Sequence, residues 1–464
     1  QMCIRDRAEK LLFKPAYVGD KSAAVKQEAH AFAEGYKKFL DAGKTEREVA
    51  AESEQMLKDA GYQQFDPKKT YAPGDKVYFS QLGKAIVAST IGTRSFEDGF
   101  HLVIAHTDSP RLDLRPTPLY ESDHFSYFKT HYYGGIRKYQ WGTMPLAIHG
   151  VFSRADGTTV SVNVGEDESD PVFCITDLLP HLGREQNQKK LPDAITAENL
   201  NVVLGSLPIA DADAENRIKL SILGLLNEMY GITERDFVTA EIEIVPAFKA
   251  RDVGLDRSMI GAYGHDDRVD AYPALMAEIE VQHPAHTTVC ILTDKEEVGS
   301  DGVTGMNSMY AYHFLQQLCA ATGVDSIAAF QASKCLSADV TAAYDPSFSE
   351  AFEPDNGTYA GRGVAIYKYT GAGGKSSTSD ANAELVSYLT RLMNKNGVVW
   401  QIGEMGRLDL GGGGTIAKYV ANRDIDTIDI GVPVLAMHSP FEVVSKADVY
   451  MAYRTFRAFC ADAE

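Results

Sequence analysis

The sequence predicts an α/β fold in which helices cover both faces of a largely parallel sheet. Two observations carry that prediction. From residue 266 onward, strand-like and helical segments alternate. The strand-like segments, such as T-T-V-C-I-L-T at 287–293, are near-continuous apolar runs, the pattern of strands buried on both faces. Length adds a third: 464 residues, at roughly 100–200 per domain, predict two or three domains. Apolar residues make up 44% and charged residues 23%, enough to bury a core and to exclude a disordered tail or a disulfide-stapled miniprotein.

The elements follow in order. Residues 1–7, Q-M-C-I-R-D-R, resemble a translated adapter fragment and carry no fold argument. Residues 23–40 have helical spacing, with Phe32, Tyr36 and Phe39 among charged residues. Thr45 and Glu48 form a capping box that opens a second helix, with Val49, Met56 and Leu57 on its apolar face. Residues 100–105 (F-H-L-V-I-A) read as a buried strand. Residues 108–145, rich in Tyr, Gly, Pro and His, read as a long functional loop. Strands are expected at 146–151 and 159–164, and a helix at 218–230. Beyond 266 come a helix at 269–279 despite Pro273, a strand at 287–293 and a helix at 307–322. A strand at 327–332, a helix at 381–394, a strand at 432–437 and a closing helix at 446–463 complete the pattern.

Charge narrows the partners. Lys and Arg total 45 against 64 Asp and Glu, a net charge of -19. Nucleic acid and anionic membranes need cationic surface, so neither is an expected partner. No apolar run approaches the ~18 residues of a membrane-spanning helix. No secretory leader is visible, and Cys3, Cys174, Cys290, Cys319, Cys335 and Cys460 are scattered without a C-x-x-C. The expectation is a cytoplasmic protein with reduced thiols and no structural zinc.

Acidic and imidazole residues recur at strand ends. The strand at 100–105 runs into His106-Thr107-Asp108, and the strand at 287–293 into Asp294-Lys295-Glu296-Glu297. Ser337-Ala338-Asp339 follows the strand expected at 327–332, His438 follows the one at 432–437, and Asp266-Asp267 precede a helix. In an open parallel sheet the carboxyl ends of the strands share the edge where ligands bind, so five distant segments could converge. Neutral imidazole and carboxylate suit Zn²⁺, Mn²⁺ or Co²⁺, and one Asp can bridge a metal pair. Two such metals, about 3.5–4 Å apart, activate a shared water and polarise a carbonyl. Of two adjacent Glu, one can be a ligand and the other a base beside that water. Each residue also has a plain reading: a loop or core His, an Asp N-cap at 266–267, a solvated Glu pair, or a turn cap at Asp339. Convergence, rather than any single residue, favours the metal site.

The motifs A-H-T-D-S-P (105–110), H-D-D-R (265–268), D-K-E-E-V-G-S (294–300), S-A-D (337–339) and M-H-S-P-F-E (437–442) resemble the aspartyl aminopeptidase and vacuolar aminopeptidase I family of metallopeptidases. The resemblance runs in order over 105–442, most of the chain. It implies two divalent metal ions per subunit, zinc first, with manganese or cobalt as alternatives. One metal would take His106, Asp266 and Asp339, and the other Asp266, Glu297 and His438. Asp266 would bridge, with Asp267 its rival. Glu296 would be the general base, and Asp108 would orient His106.

The resemblance also implies a dimerisation domain at 112–243, inserted into a catalytic domain formed by 8–111 and 244–464. Within it L-P-H-L (179–182) places His181 where a subunit would reach its neighbour's active site, against a structural role for a partly exposed His. Dimers assembling into a dodecamer are the implied homo-oligomer. Y-G-G-I-R-K-Y-Q-W (133–141) and G-G-G-G-T-I-A (411–417) follow the family only loosely, and Asp345 stands where better-known members carry His. Lys375, in G-G-K-S-S (373–377), is a candidate substrate contact or else a solvated loop lysine.

The expected function is metal-dependent removal of N-terminal residues from peptides, with acidic N-terminal residues the preference the family implies. Another dimetal amidohydrolase, a carboxypeptidase or deacylase, is the nearest rival and would need no free α-amine. A catalytically silent assembly protein would need damaged ligands, and none is missing.

Overall fold

The computed structural model describes residues 11–154 and 156–464. The adapter-like segment at 1–7 therefore lies outside the described residues. Three sheets organise the chain. In the nine-stranded sheet the four central strands, Thr287–Thr293, Phe100–His106, Lys334–Ala338 and Asp426–Gly431, are mutually parallel. Outside them the pairing changes: Ala85–Thr90 runs antiparallel to Thr287–Thr293, and Val364–Tyr367 antiparallel to Asp426–Gly431.

The nine-stranded sheet is thus mixed, which corrects the expectation of a largely parallel one. Near-continuous apolar runs report burial on both faces and say nothing of direction. Ala85–Thr90 is buried at every position and still antiparallel to its neighbours.

Helices cover both faces of this sheet. Successive side chains of the Phe100–His106 strand alternate between them: Val103 and Ala105 enter one core, Leu102 and Ile104 the other. The first core packs against helices Ala23–Ala42, His265–Glu280, Ala383–Lys395 and Lys446–Ala461; the second packs against Tyr310–Thr322. The helix Glu46–Asp59 starts as expected, with Thr45 accepting from the Glu48 N–H and the Glu48 carboxylate accepting from that of Thr45.

Three further expectations are corrected. Residues 108–145 are chiefly an antiparallel pair, Arg111–Ser122 and Phe125–Tyr133, in a six-stranded antiparallel sheet drawn from 111–246 with its own core. The strand expected at 327–332 is the helix Ser326–Gln331, capped by Asp325, whose side chain accepts from the Ile327 N–H. The strand follows it at Lys334–Ala338. The segment 432–437 does not extend the central sheet: that strand is Asp426–Gly431, and Pro433–Leu435 joins a five-stranded sheet beside Glu442–Ser445. Pro433 has no N–H with which to continue a ladder. The five described cysteines, Cys174, Cys290, Cys319, Cys335 and Cys460, are free. No helix among the described residues is long and apolar enough to cross a membrane.

Candidate metal centre

Parallel pairing brings the chemistry to one edge. Thr293 and His106 are register partners at the carboxyl ends of adjacent strands, and Asp339 follows directly on the next strand, Lys334–Ala338. Asp266 enters from the start of helix His265–Glu280, and His438 from the turn before Glu442–Ser445. The backbone at Asp266 and Asp267 is non-helical, so these two side chains leave the helix in different directions.

Asp266 lies between two imidazoles. Its Oδ1 is 3.1 Å from His106 Nε2 and its Oδ2 is 3.0 Å from His438 Nε2. Glu297 Oε2 is 3.5 Å from His438 Nε2. Asp339 Oδ1 and Glu296 Oε2 stand 3.9 and 4.0 Å from His106 Nε2. Ligand atoms of His106, Asp266 and Glu297 lie within 4.8 Å of one another, as do those of His106, Glu296 and Asp339. Asp267 turns away: its Oδ2 accepts the His106 backbone N–H at 3.2 Å.

Both imidazoles are oriented from behind. His106 Nδ1 donates to the Asp108 carbonyl at 2.9 Å, with the Asp108 carboxylate 3.3 Å away. His438 Nδ1 donates to the Gly135 carbonyl at 2.9 Å. In the neutral ring each bond places the proton on Nδ1 and so leaves Nε2 as the lone pair aimed into the cluster. Among the described residues, buried His106 Nε2 and Glu297 Oε1 have no hydrogen-bond partner, which is how metal-donor atoms aimed at a cation stand.

The electrostatics agree. Burial, with the Asp108 and Asp266 charges adding, pushes Glu296 up to about 7. Burial, with Asp266 adding, holds Glu297 well above the ordinary carboxylate range, and burial with Glu296 does the same for Asp339. For His106, burial lowers the pKa, but the Asp108 and Asp266 carboxylates outweigh it and hold the ring well above its ordinary value. So many carboxylates cannot all ionise together in a buried volume without positive charge. Divalent cations would supply that charge, and the nitrogen and oxygen donors match zinc-type ions.

Sequence reasoning passed over several supporting groups. Glu442, buried at 1% exposure, accepts the backbone N–H of Asp266 on Oε2 and that of His438 on Oε1. Tyr133 donates to Asp108 Oδ2 at 2.7 Å. Buried Arg268 donates to the carbonyls of Thr107 and Lys44. Glu442 and Arg268 stand inside recognised motifs, so their positions were visible while their contacts were not.

Two expected residues lie away from the cluster. His181 is exposed and lines a cavity of about 910 Å³ with Tyr120, Tyr127 and Arg184 in the 111–246 region. Lys375 lines another, of about 810 Å³, where its Nζ is 2.8 Å from Asp380 and 3.6 Å from the centre of the Tyr369 ring. None of the clustered residues lines either cavity. Asp345 caps a turn, accepting from the Ser347 N–H.

Known proteins resemble this chain over nearly its whole length. The family model of the aminopeptidase I zinc metalloproteases (M18) matches residues 39–460. A probable M18 family aminopeptidase 1 of Borreliella afzelii is 45% identical over 446 residues, which is 94% of this chain and 97% of that protein. The crystal structure of an M18 aminopeptidase from Thermotoga maritima superposes with a TM-score of 0.91 at 42% identity, covering 97% of this chain and 99% of that one. The S. cerevesiae mApe1 dodecamer has 19% identity and a TM-score of 0.74 over 94% of this chain and 96% of that one, a likeness of fold alone.

Proposed function

The chain belongs to the M18 family of aminopeptidase I zinc metalloproteases and is a metallo-aminopeptidase, and on that premise we propose that it works by a co-catalytic two-metal mechanism. The observation that carries the proposal is Asp266, whose two carboxylate oxygens each face a different imidazole Nε2, at 3.1 and 3.0 Å. A carboxylate so placed would bridge two ions, one also held by His106 and Asp339, the other by Glu297 and His438. Bound there, two divalent ions would polarise the scissile carbonyl and lower the pKa of a water.

The remaining chemistry falls to the protein. Glu296, whose Oε2 stands 4.0 Å from His106 Nε2, is the carboxylate proposed as general base. It takes the proton of the attacking water and returns it to the leaving amine. Asp108 holds that carboxylate's segment by accepting the Glu296 and Glu297 backbone N–H groups, at 3.1 and 3.2 Å. The same Asp108 orients His106, so base and ligand are positioned by one residue.

The substrates we propose are peptides with a free α-amine. A carboxypeptidase or deacylase on the same platform would accept a blocked amine. An acidic N-terminal preference rests on the family resemblance; Lys375, the candidate substrate contact, is paired with Asp380. We further propose that the 112–243 insertion serves homo-oligomer formation, from dimers up to a dodecamer. Its helix Arg217–Tyr230 exposes Leu220, Leu225 and Met229, with Val172 and Val238 also exposed in the insertion. The structural relative of dodecameric form fits that reading.

The test is a panel of aminoacyl chromogenic substrates with free and acetylated α-amines, assayed after chelation and after return of Zn²⁺, Mn²⁺ or Co²⁺. Hydrolysis restricted to free amines and restored by metal is the expected result. Full activity in protein shown to be metal-free by elemental analysis would reject the mechanism.

A further inference from the structure

The segment Tyr133-Gly134-Gly135 leaves the six-stranded sheet at the end of its Phe125–Tyr133 strand and crosses the metal centre. It touches both halves of the cluster. Tyr133 Oη donates to Asp108 Oδ2 at 2.7 Å, and Asp108 in turn braces His106, Glu296 and Glu297. The Gly135 carbonyl accepts from His438 Nδ1 at 2.9 Å. Gly134 has φ of 71°, and a Cβ there would lie 3.2 Å from Glu297 Cβ and Oε2. A Cβ on Gly135 would come within 3.3 Å of His438 Nδ1. The two glycines let the backbone lie directly against two proposed ligands.

The other end of the segment is anchored in the inserted sheet. The Arg111 guanidinium sits 3.9 Å from the centre of the Tyr133 ring. Arg111 is 5% exposed and is held by Asp113 at 2.8 Å, Glu243 at 3.1 Å and Glu46 at 3.3 Å. Asp113 and Glu243 are themselves register partners on adjacent strands of that sheet. A continuous line of packed and hydrogen-bonded groups therefore runs from the inserted sheet through Arg111 and Tyr133 to Asp108.

We infer that residues 133–135 are a strap through which the inserted sheet sets the orientation of the metal-facing side chains, with Tyr133 a positioning residue acting through Asp108. The insertion would then contribute to metal affinity without supplying a ligand. This inference rests on the two-metal reading above.

Tyr133→Phe keeps the ring beneath Arg111 and removes only the hydroxyl. Its Zn²⁺ affinity, measured on the full chain by competition with a chromophoric chelator, should fall by about 10–100-fold, the usual effect of removing a group that orients a ligand. The Tm of the metal-free protein should stay near wild type, and kcat should fall with KM unchanged. Asp108→Asn should lower Zn²⁺ affinity as well. Adding Tyr133→Phe to it should lower affinity no further, because the two lie on one line of action. Unchanged Zn²⁺ affinity in Tyr133→Phe, or full additivity in the double variant, would overturn the strap. A Tm loss in the metal-free protein with Zn²⁺ affinity intact would also overturn it, as a purely structural role. Wild-type protein that binds no Zn²⁺ in the same titration would instead reject the two-metal reading beneath it.

Discussion

Glu442 holds the backbone of Asp266: its Oε2 accepts the Asp266 N–H at 3.2 Å while its Oε1 accepts that of His438 at 2.7 Å. One buried carboxylate thus clamps two residues that lie 172 positions apart in the chain and face each other across 3.0 Å. Glu442→Gln keeps the size but turns an amide NH₂ toward one of the two N–H groups. A buried donor left unpaired costs about 1–3 kcal/mol. The variant should melt earlier than wild type, and added Zn²⁺ should raise its Tm less. A thermal shift series with and without Zn²⁺ measures both. Wild-type values in that series would show that the clamp is idle.

Glu296→Gln should separate chemistry from metal binding. The amide cannot take a proton, and loss of a general base lowers kcat by about 10²–10⁴-fold. Elemental analysis should still find the wild-type metal content. His438→Ala and Asp266→Ala should instead lose metal. Near-wild-type turnover by Glu296→Gln would move the base elsewhere, with Glu297 the first suspect.

His149 should give stability a pH dependence on the alkaline side. Its Nδ1 is 2.8 Å from Glu48 Oε1 and its Nε2 is 3.1 Å from Glu166 Oε1, with Lys44 and Lys249 also on Glu166. Burial lowers the His149 pKa, but Glu166 and Glu48 outweigh it and raise the ring above its ordinary value. A raised folded pKa contributes stability in full below the unfolded value of about 6.5, and that stability is lost as pH rises through the folded value. Glu166 acts oppositely. Burial raises it, but His149 and Lys44 dominate and hold it at about 2, so its contribution is lost as pH falls from its unfolded value toward that point. Urea midpoints measured from pH 5 to pH 9 should decline above about pH 6.5 in wild type. His149→Gln should flatten that decline. Identical slopes in the two proteins would reject the assignment.

His181 tests the shared site. It lies away from its own chain's cluster, in the 111–246 region. If it reaches a neighbour's substrate, His181→Ala should lower kcat without removing metal. Mixing it with Glu296→Gln subunits under exchange should restore activity, because some mixed sites would combine an intact Glu296 with a neighbour's His181. No recovery despite demonstrated exchange would exclude a shared site, and a fully active monomer in light scattering would exclude the oligomer.

What was legible in the sequence, and what was not, has physical causes. The strand Thr287–Thr293 and the acidic residues beyond it were readable because a doubly buried strand must be apolar and its functional end must not. The Arg111–Ser122 strand was hidden by Pro116 and Pro118. Both lie where the ladder with Phe125–Tyr133 shifts register between Leu114 and Leu119, so they break no regular pairing. The hairpin Lys76–Gln81 and Ala85–Thr90 turns with Leu82 at φ of 55°, where Asn or Asp would have marked it. His106, the pairs Asp266-Asp267 and Glu296-Glu297, Asp339 and His438 could be listed as candidates from their types, while the choice within each pair came only with the family resemblance. That Asp266 rather than Asp267 faces both imidazoles depends on the backbone at the helix start, which no spacing rule specifies.

The donors of the cluster are spread from His106 to His438, 332 residues apart. At a synthesis rate of about 5–20 residues per second, roughly 17–66 s separate the appearance of the first from that of the last. Until Asp266 appears, a nascent chain carries only His106 of these donors, and to the end of the interval it lacks the second imidazole. A peptidase whose second metal needs His438 would stay inert toward its surroundings while it is being made, with the order of translation serving as its safety catch.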